Sequence, residues 1–374
     1  MGHRILITGG AGFIGSHLAD ALLRQGYAVR VLDHLSPQVH GDGEKRPGYL
    51  DAKVELVRGD VCDRRTVRRA FDEVDAVFHL AAAVGVGQSM YQIADYTTAN
   101  NLGTAVVLEQ AIEHRKRLRR LVVASSMSIY GEGMYEDADG RQRPNTVRAE
   151  ARMRSKHWDP VDESGRPLIP VATPETKPPR LASIYALSKF DQEQMCLITG
   201  RAYGIETVAL RLFNVYGPRQ AVSNPYTGVL AIFATRLLNN RPPVIFEDGL
   251  QQRDFVSVHD VAQAFLLALH VPGAAGGTFN IGSGQRYTVL ELAARLAEVM
   301  ERSHITPEVN GQYRVGDIRH CFANITRARQ ILGYTPGVSL DRGMAELAQW
   351  LQTQHASDHV EQAHAELAAR GLTA

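Results

Sequence analysis

The chain of 374 residues is short of several things, and each shortage excludes a class of protein. It carries no excess of one charge: 41 Lys and Arg stand against 40 Asp and Glu, a formal net charge of +1. Such a balance supplies no broad cationic field for nucleic acid or for an anionic membrane. Its three cysteines, Cys62, Cys196 and Cys321, lie far apart. They form neither a disulfide framework nor a CxxC metal site, and they read as reduced thiols. The histidines show no metal-ligand spacing, so no metal is assigned. No apolar run approaches the ~18 residues of a membrane helix, and no repeat of ~20–50 residues is visible. The first residues lead straight into a strand and a glycine turn rather than a secretory signal, so a cytoplasmic location is expected. What is present is a composition of 44% hydrophobic and 22% charged residues, enough for a sizeable core. The length suits about two domains.

The first third alternates short apolar runs with amphipathic stretches. Arg4–Thr8, Ala28–Asp33, Val54–Arg58, Ala76–Leu80 and Arg120–Ser125 read as strands. Gly15–Gln25, Thr66–Phe71 and Thr104–His114 read as the helices between them. This alternation predicts an α/β fold, a doubly wound parallel sheet with right-handed crossovers. Residues 133–180 break the pattern, holding seven of the 16 prolines and closely mixed charges such as Arg148, Glu150, Arg152, Arg154 and Lys156. They read as a long excursion rather than core. Regular elements resume at Ser183 and run through Thr207–Phe213, Gly228–Leu238 and Asp260–His270. The expected division is a first domain over 1–218 and a smaller α/β domain over 219–350, with 254–272 returning to the first. Residues 351–374 are expected as a surface helix or frayed tail.

Gly9-Gly10-Ala11-Gly12-Phe13-Ile14-Gly15 joins the first strand to the first helix. Glycines at this spacing give a tight turn, let a pyrophosphate approach the backbone and let helix pack on strand. The helix N-terminus offers N–H groups to the phosphates. Asp33 ends the second strand 18 residues after Gly15, where a carboxylate accepts from ribose hydroxyls and repels a 2′-phosphate, favouring NAD over NADP. In Gly59-Asp60-Val61 a carboxylate could reach an adenine amino group, and Leu80-Ala81-Ala82 is small enough for a cofactor to lie against it. His79 reads as a packed strand residue.

Ser125-Ser126-Met127-Ser128 closes another strand, and Tyr185-x-x-x-Lys189 places phenol and ammonium on one helix face. A phenol with pKa ~10 is a poor base, and a shift of ~3 units requires roughly 4 kcal/mol. One ammonium ~4 Å away at an effective dielectric of ~20 supplies about that. Ser126 could hold the substrate oxygen and relay its proton.

Together Gly9/Gly12/Gly15, Asp33, Leu80-Ala81-Ala82, Ser126 and Tyr185/Lys189 resemble the extended short-chain dehydrogenases acting on nucleotide sugars, over residues 2 to about 350. The resemblance implies a Rossmann-type domain with tightly bound NAD and a C-terminal domain for a nucleotide-diphosphate sugar. It places Asn100 near the nicotinamide end of the cofactor. Toward the substrate it places Ser128, Asn214 in Arg211-Leu212-Phe213-Asn214, Phe246 near the base, Arg253 and Arg314 as a diphosphate clamp, and Cys321 as a gate for sugar substituents. A guanidinium fork suits a diphosphate. In the family's 4,6-dehydratases the catalytic Ser or Thr is followed by Asp-Glu; here Met127 and Ser128 follow, so dehydration and decarboxylation are disfavoured. The expected activity is epimerisation at C4 of a dTDP- or UDP-hexose, the alternative an NAD(P)H-dependent 4-ketosugar reductase, and a non-catalytic dinucleotide sensor a third class. Around 133–180 the trace is similar to dTDP-L-rhamnose 4-epimerase-like members rather than the UDP-galactose 4-epimerase type. The cysteine pair of those members is missing from Val161-Asp162-Glu163-Ser164. A homodimer is the family's expected assembly.

Overall fold

The computed structural model describes residues 3–41, 45–221, 228–314, 316–354 and 360–373. Seven strands form one sheet: β1 (Arg4–Thr8), β2 (Ala28–Asp33), β3 (Glu55–Arg58), β4 (Ala76–His79), β5 (Arg120–Ser126), β6 (Thr207–Leu212) and β7 (Thr278–Ile281). Their order is β7-β6-β5-β4-β1-β2-β3, and every pairing is parallel. The order reverses between β1 and β4, so the carboxyl ends of those strands flank the crevice where such sheets bind ligands.

Side-chain alternation along β1 explains why the sheet is covered on both faces. Ile5 and Ile7 join one core with Leu18, Leu22, Val261 and Phe265. Leu6 joins another with Val106, Val107, Cys196 and Leu197. The first core lies under helices α1 (Phe13–Arg24) and α4 (Val258–His270), the second under α2 (Gly103–Glu113) and α3 (Ile184–Tyr203). Phe78 of β4 meets Phe265 of α4 edge to face, ring centroids 5.7 Å apart. A third core gathers Leu230, Phe233, Leu292, Leu296, Met344 and Leu347 from the second half of the chain.

Helix α3 carries the Tyr-x-x-x-Lys pair, and its ends are set locally. The Ser183 hydroxyl accepts from the Ala186 N–H at 3.1 Å, while Gly204 ends the helix at φ +68°.

Residues 133–180, expected as an excursion rather than core, are in part paired and buried. Met134–Glu136 and Ile169–Val171 pair antiparallel, and Tyr135, Thr173 and Lys177 are buried. Arg148 bonds Glu132 at 2.9 Å and Glu247 at 2.5 Å. Arg319, with no exposed surface, reaches Asp159 at 2.8 Å, Glu247 at 2.9 Å and Asp248 at 2.6 Å. Of the mixed charges in this stretch, Arg148 is thus paired across the fold, whereas Glu150 and Arg154 form a local, exposed pair.

Of the two forms expected for the C-terminal segment, helix or frayed tail, the described residues take the helix. Val360–Ala369 is helical, Leu367 is buried, and a Cβ at Gly87 would lie 3.2 Å from its side chain. The Tyr91 hydroxyl donates to Glu366 at 3.0 Å. The start of that tail, 355–359, lies outside the described residues.

Candidate active site

A groove of about 670 Å³ runs along the carboxyl ends of the strands. Its walls include Gly9, Gly12, Phe13, Ile14, Gly15, Asp33, Asp60, Val61, Leu80, Ala81 and Ala82, then Ser126, Ser128, Tyr185, Lys189 and Asn214. One continuous cavity thus collects residues that the chain keeps up to 246 positions apart, from Gly9 to Phe255.

The three glycines of the turn have different reasons for being glycine. At Gly9 (φ +69°) a Cβ would fall 2.8 Å from the Ala81 backbone, and at Gly15 it would fall 2.5 Å from Gly10 Cα. Both positions serve close packing within the protein. At Gly12 a Cβ would meet only Gly9 O, at 3.4 Å, so the space beside it is groove. The first-turn N–H groups of α1 face outward there and suit a pyrophosphate. Asp33 is held at the tip of β2 by two backbone donors, Ala11 N–H to one carboxylate oxygen (3.0 Å) and Leu35 N–H to the other (2.9 Å). Asp33 lines the groove, and each of its carboxylate oxygens can accept a further hydrogen of the kind ribose hydroxyls supply.

Ser126 lies at the end of β5. Its Oγ accepts from the Ser128 hydroxyl at 2.9 Å and from the Ser128 N–H at 3.2 Å, which leaves its own hydrogen to donate. Burial raises the Tyr185 phenol above its ordinary value, opposed by a hydrogen bond with Ser126. Burial lowers Lys189 to about 8, opposed by the charges of Cys196 and Glu193. The Lys189 ammonium donates to Gln192 Oε1 at 2.6 Å. The expectation that Lys189 alone would bring the phenol toward neutrality is therefore not met in this arrangement. Desolvation of the phenolate dominates, and the ammonium is engaged by Gln192.

Other expected site residues stand back from the groove. Asn100 is fully buried; its Oδ1 accepts from Ala83 N–H at 2.7 Å and its Nδ2 donates to Ser188 Oγ at 2.8 Å. It braces the wall rather than lining it. Arg253 donates to the Arg319 carbonyl at 2.9 Å and to the Ile318 carbonyl. The Arg314 guanidinium stacks 4.3 Å from the Phe246 ring centroid. Cys321 is 1% exposed with its Sγ 3.7 Å from Thr173 Oγ1. None of these last four is on the groove wall, and Val315 beside Arg314 is outside the described residues. Conversely, Gln220 and Phe255 line the groove without any motif to announce them. Gln192 had one available signal, its i,i+3 spacing from Lys189 on one helix face.

Among the described residues no cluster of His, Cys, Asp or Glu could hold a metal, and no helix is long and apolar enough to cross a membrane.

The sheet order, the glycine turn and the Ser126–Tyr185–Lys189 cluster define a dinucleotide-dependent enzyme of the doubly wound α/β class. The chain belongs to the NAD dependent epimerase/dehydratase family, whose sequence model matches residues 5–158 and 159–282. It is 34% identical to the dTDP-L-rhamnose 4-epimerase of Burkholderia thailandensis, over 94% of this chain and 95% of that one. Among solved structures it resembles the Thermotoga maritima UDP-glucose 4-epimerase with UDP-glucose, at 31% identity and a TM-score of 0.75, covering 93% and 98% of the two chains. It also resembles the Bacillus cereus UDP-glucuronic acid 4-epimerase in complex with UDP-glucuronic acid and NAD, at 27% identity and a TM-score of 0.77, covering 94% and 100%. The open space at Gly12 and the fixed carboxylate of Asp33 fit NAD, the cofactor of the family.

Proposed function

We propose that the protein is a nucleotide-sugar 4-epimerase acting on a dTDP- or UDP-linked hexose. The observation that carries this reading is the make-up of the β5 end. Ser126 and Tyr185 form one proton-transfer pair, and the two residues that follow Ser126 are Met127 and Ser128. Elimination of water needs a second acid and base at the neighbouring carbons, and Met127 and Ser128 supply neither. Chemistry confined to C4 needs only the one pair.

When bound, NAD supplies the two-electron oxidation and re-reduction of C4. Tyr185 takes the proton of the C4 hydroxyl through or beside Ser126 and later returns it. Asn214, on the groove wall at the start of the second half of the chain, anchors the diphosphate while the 4-keto sugar presents its other face. We read residues 1–218, together with the returning α4 and β7, as the cofactor half and the rest of 219–350 as the nucleotide-sugar half, with Phe246, Arg253 and Arg314 reaching the ligand after rearrangement. A homodimer is our reading of the assembly, tested by mass in solution.

The deciding experiment incubates the purified protein with UDP- and dTDP-hexoses, including dTDP-L-rhamnose, without added NADH. NMR should show a pair of C4 epimers equilibrating at unchanged mass, and cofactor extracted by denaturation should be NAD rather than NADP. In a parallel incubation of a 4-ketosugar with added NAD(P)H, stoichiometric reduction with no epimer pair from the hexoses would make the protein a reductase. Loss of one water would make it a dehydratase.

A further inference from the structure

We propose that Gln192 is a positioning residue of the reaction: its amide oxygen fixes the Lys189 ammonium in the groove, and a buried chain of donors behind it allows that amide only one orientation. The argument is an accounting of protons. Thr104 has one hydroxyl hydrogen, and it goes to the Asn100 carbonyl at 2.5 Å. Thr104 Oγ1 must then accept from its other neighbours, His79 Nε2 at 2.8 Å and Gln192 Nε2 at 2.8 Å. The first contact puts the imidazole hydrogen on Nε2 and leaves Nδ1 as an acceptor, which the Thr8 hydroxyl serves at 2.7 Å. Thr8 Oγ1 in turn accepts from the Ala81 N–H at 3.3 Å. The second hydrogen of the Gln192 amide goes to the Ala81 carbonyl at 3.3 Å. Every member then has a partner, and the 3.3 Å approach of Gln192 Nε2 to His79 Nε2 is a contact between donors, not a bond.

Only Gln192 Oε1 remains, and it faces Lys189 Nζ at 2.6 Å. Flipping the amide would set NH₂ against the ammonium and C=O against two acceptors, Thr104 Oγ1 and the Ala81 carbonyl. All of this is out of water: Gln192 and His79 are 1% exposed, Thr8, Thr104 and Asn100 0%, Lys189 4%. An unpaired group there has no solvent to fall back on. The ammonium has three hydrogens, and with one tied to Gln192 the other two are directed by tetrahedral geometry. The chain also links Ala81 of the cofactor wall to Lys189, so the two surfaces that would meet the same cofactor are braced together.

The charged and titratable groups acting on Lys189 are Glu193 and Cys196 on its own helix and His79 from β4; Tyr185, four residues earlier on that helix, lines the same groove and its ring meets Tyr96. Glu193 is already held by Arg211 of β6 at 2.7 Å and by the Ser125 hydroxyl at 2.6 Å. Among the described residues the Gln192 carbonyl is therefore the one direct acceptor of the Lys189 ammonium.

The chain has only six lysines, Lys45, Lys53, Lys116, Lys156, Lys177 and Lys189, so side-chain NMR of lysine-labelled protein can follow Lys189 directly, assigned by its loss in Lys189→Arg. Gln192→Met keeps the volume and removes the acceptor; Gln192→Glu keeps an acceptor and adds charge. Lys189 should titrate about one pH unit or more lower in Gln192→Met and above wild type in Gln192→Glu. This readout needs no substrate. The activity arm rests on the epimerase reading: the rate should fall as pH rises through the Lys189 pKa, and its alkaline limb should move with the NMR value in both variants. Should Gln192→Met not fold, Gln192→Glu decides alone. Titrations that coincide within about 0.3 unit across the proteins, or limbs that stay in place while Lys189 moves, would overturn the positioning role. A shifted titration with no epimer pair from any sugar would overturn the proposed function and leave the positioning of Lys189 standing.

Discussion

Two buried polar regions of this protein are built on opposite plans. Behind the groove, Thr8, His79, Thr104, Asn100 and Gln192 form a chain of neutral hydrogen bonds that meets a single charge, Lys189. Where residues 133–180 meet the second half of the chain, Arg148 and Arg319 are packed among Glu132, Asp159, Glu247 and Asp248. The Glu132 carboxylate also accepts from the Arg319 N–H at 2.8 Å and the His320 N–H at 3.3 Å. The difference teaches what each region is for. A neutral chain leaves the charge balance at Tyr185 to be set by whatever enters the groove. An ion-pair cluster is insensitive to such detail but strict about geometry, and it pins a long insertion that has little apolar surface of its own.

The largest expected effect falls on the neutral side. Tyr185→Phe removes only the oxygen that exchanges the proton, so turnover should drop roughly 10²–10⁴-fold. Retained NAD and an unchanged unfolding midpoint would show that the change is chemical, and near-wild-type turnover would mean another group moves the proton.

Next is the charged side. Arg319→Met leaves the buried Glu247 with Arg148 alone and the half-buried Asp248 beside an apolar chain, and removing one partner of a buried pair typically costs about 3–5 kcal/mol. Urea unfolding should show that loss, and limited proteolysis should open sites within 133–180. A loss below about 1 kcal/mol would mean that the cluster contributes no more than a surface pair. Lys189 should titrate as in wild type, because Arg319 lies outside the chain of donors that ends on it.

How much of this was legible in the sequence follows the same division. Strand ends β1, β2, β4 and β5 could be read because local apolar runs and a glycine turn define them, and the residues they present line the groove as motifs. The insertion could not be read. Arg148 and Glu247 are 99 positions apart, Arg319 and Asp159 are 160, and composition shows charges but not their partners. The mixed charges of 148–156 look alike whether solvated or paired. Gln192 was hidden for a different reason: glutamine on a helix is ordinary, and only the fold brings Thr104 and Ala81 behind it. Arg253 and Arg314 were placed by resemblance alone, and they here contact the Ile318 and Arg319 carbonyls and the Phe246 ring.

The smallest expected effect separates the two regions by acid. Burial, with the nearby Lys189 charge, lowers His79 to about 3 from an ordinary 6.5. Between those values the unfolded chain binds a proton that the folded protein refuses. The contribution of neutral His79 is therefore complete above pH 6.5 and is lost as pH falls toward 3, at up to about 1.4 kcal/mol per pH unit. The donor order gives the structural reason: a second hydrogen on Nδ1 would face the hydroxyl hydrogen of Thr8. In the charged region Asp159 is held below the usual carboxylate range, chiefly by its hydrogen bond to His320, so its own pairing persists to lower pH, whereas burial raises Glu247 and lowers His320. Unfolding free energies of wild type and His79→Asn, measured from pH 7 to 4, should converge on acidification, the variant starting less stable and losing less. Amide exchange at pH 5 should rise around Thr8, His79 and Thr104 before it rises around Asp159. Parallel stability curves, or the reverse order of exchange, would show that the proton is not refused at His79.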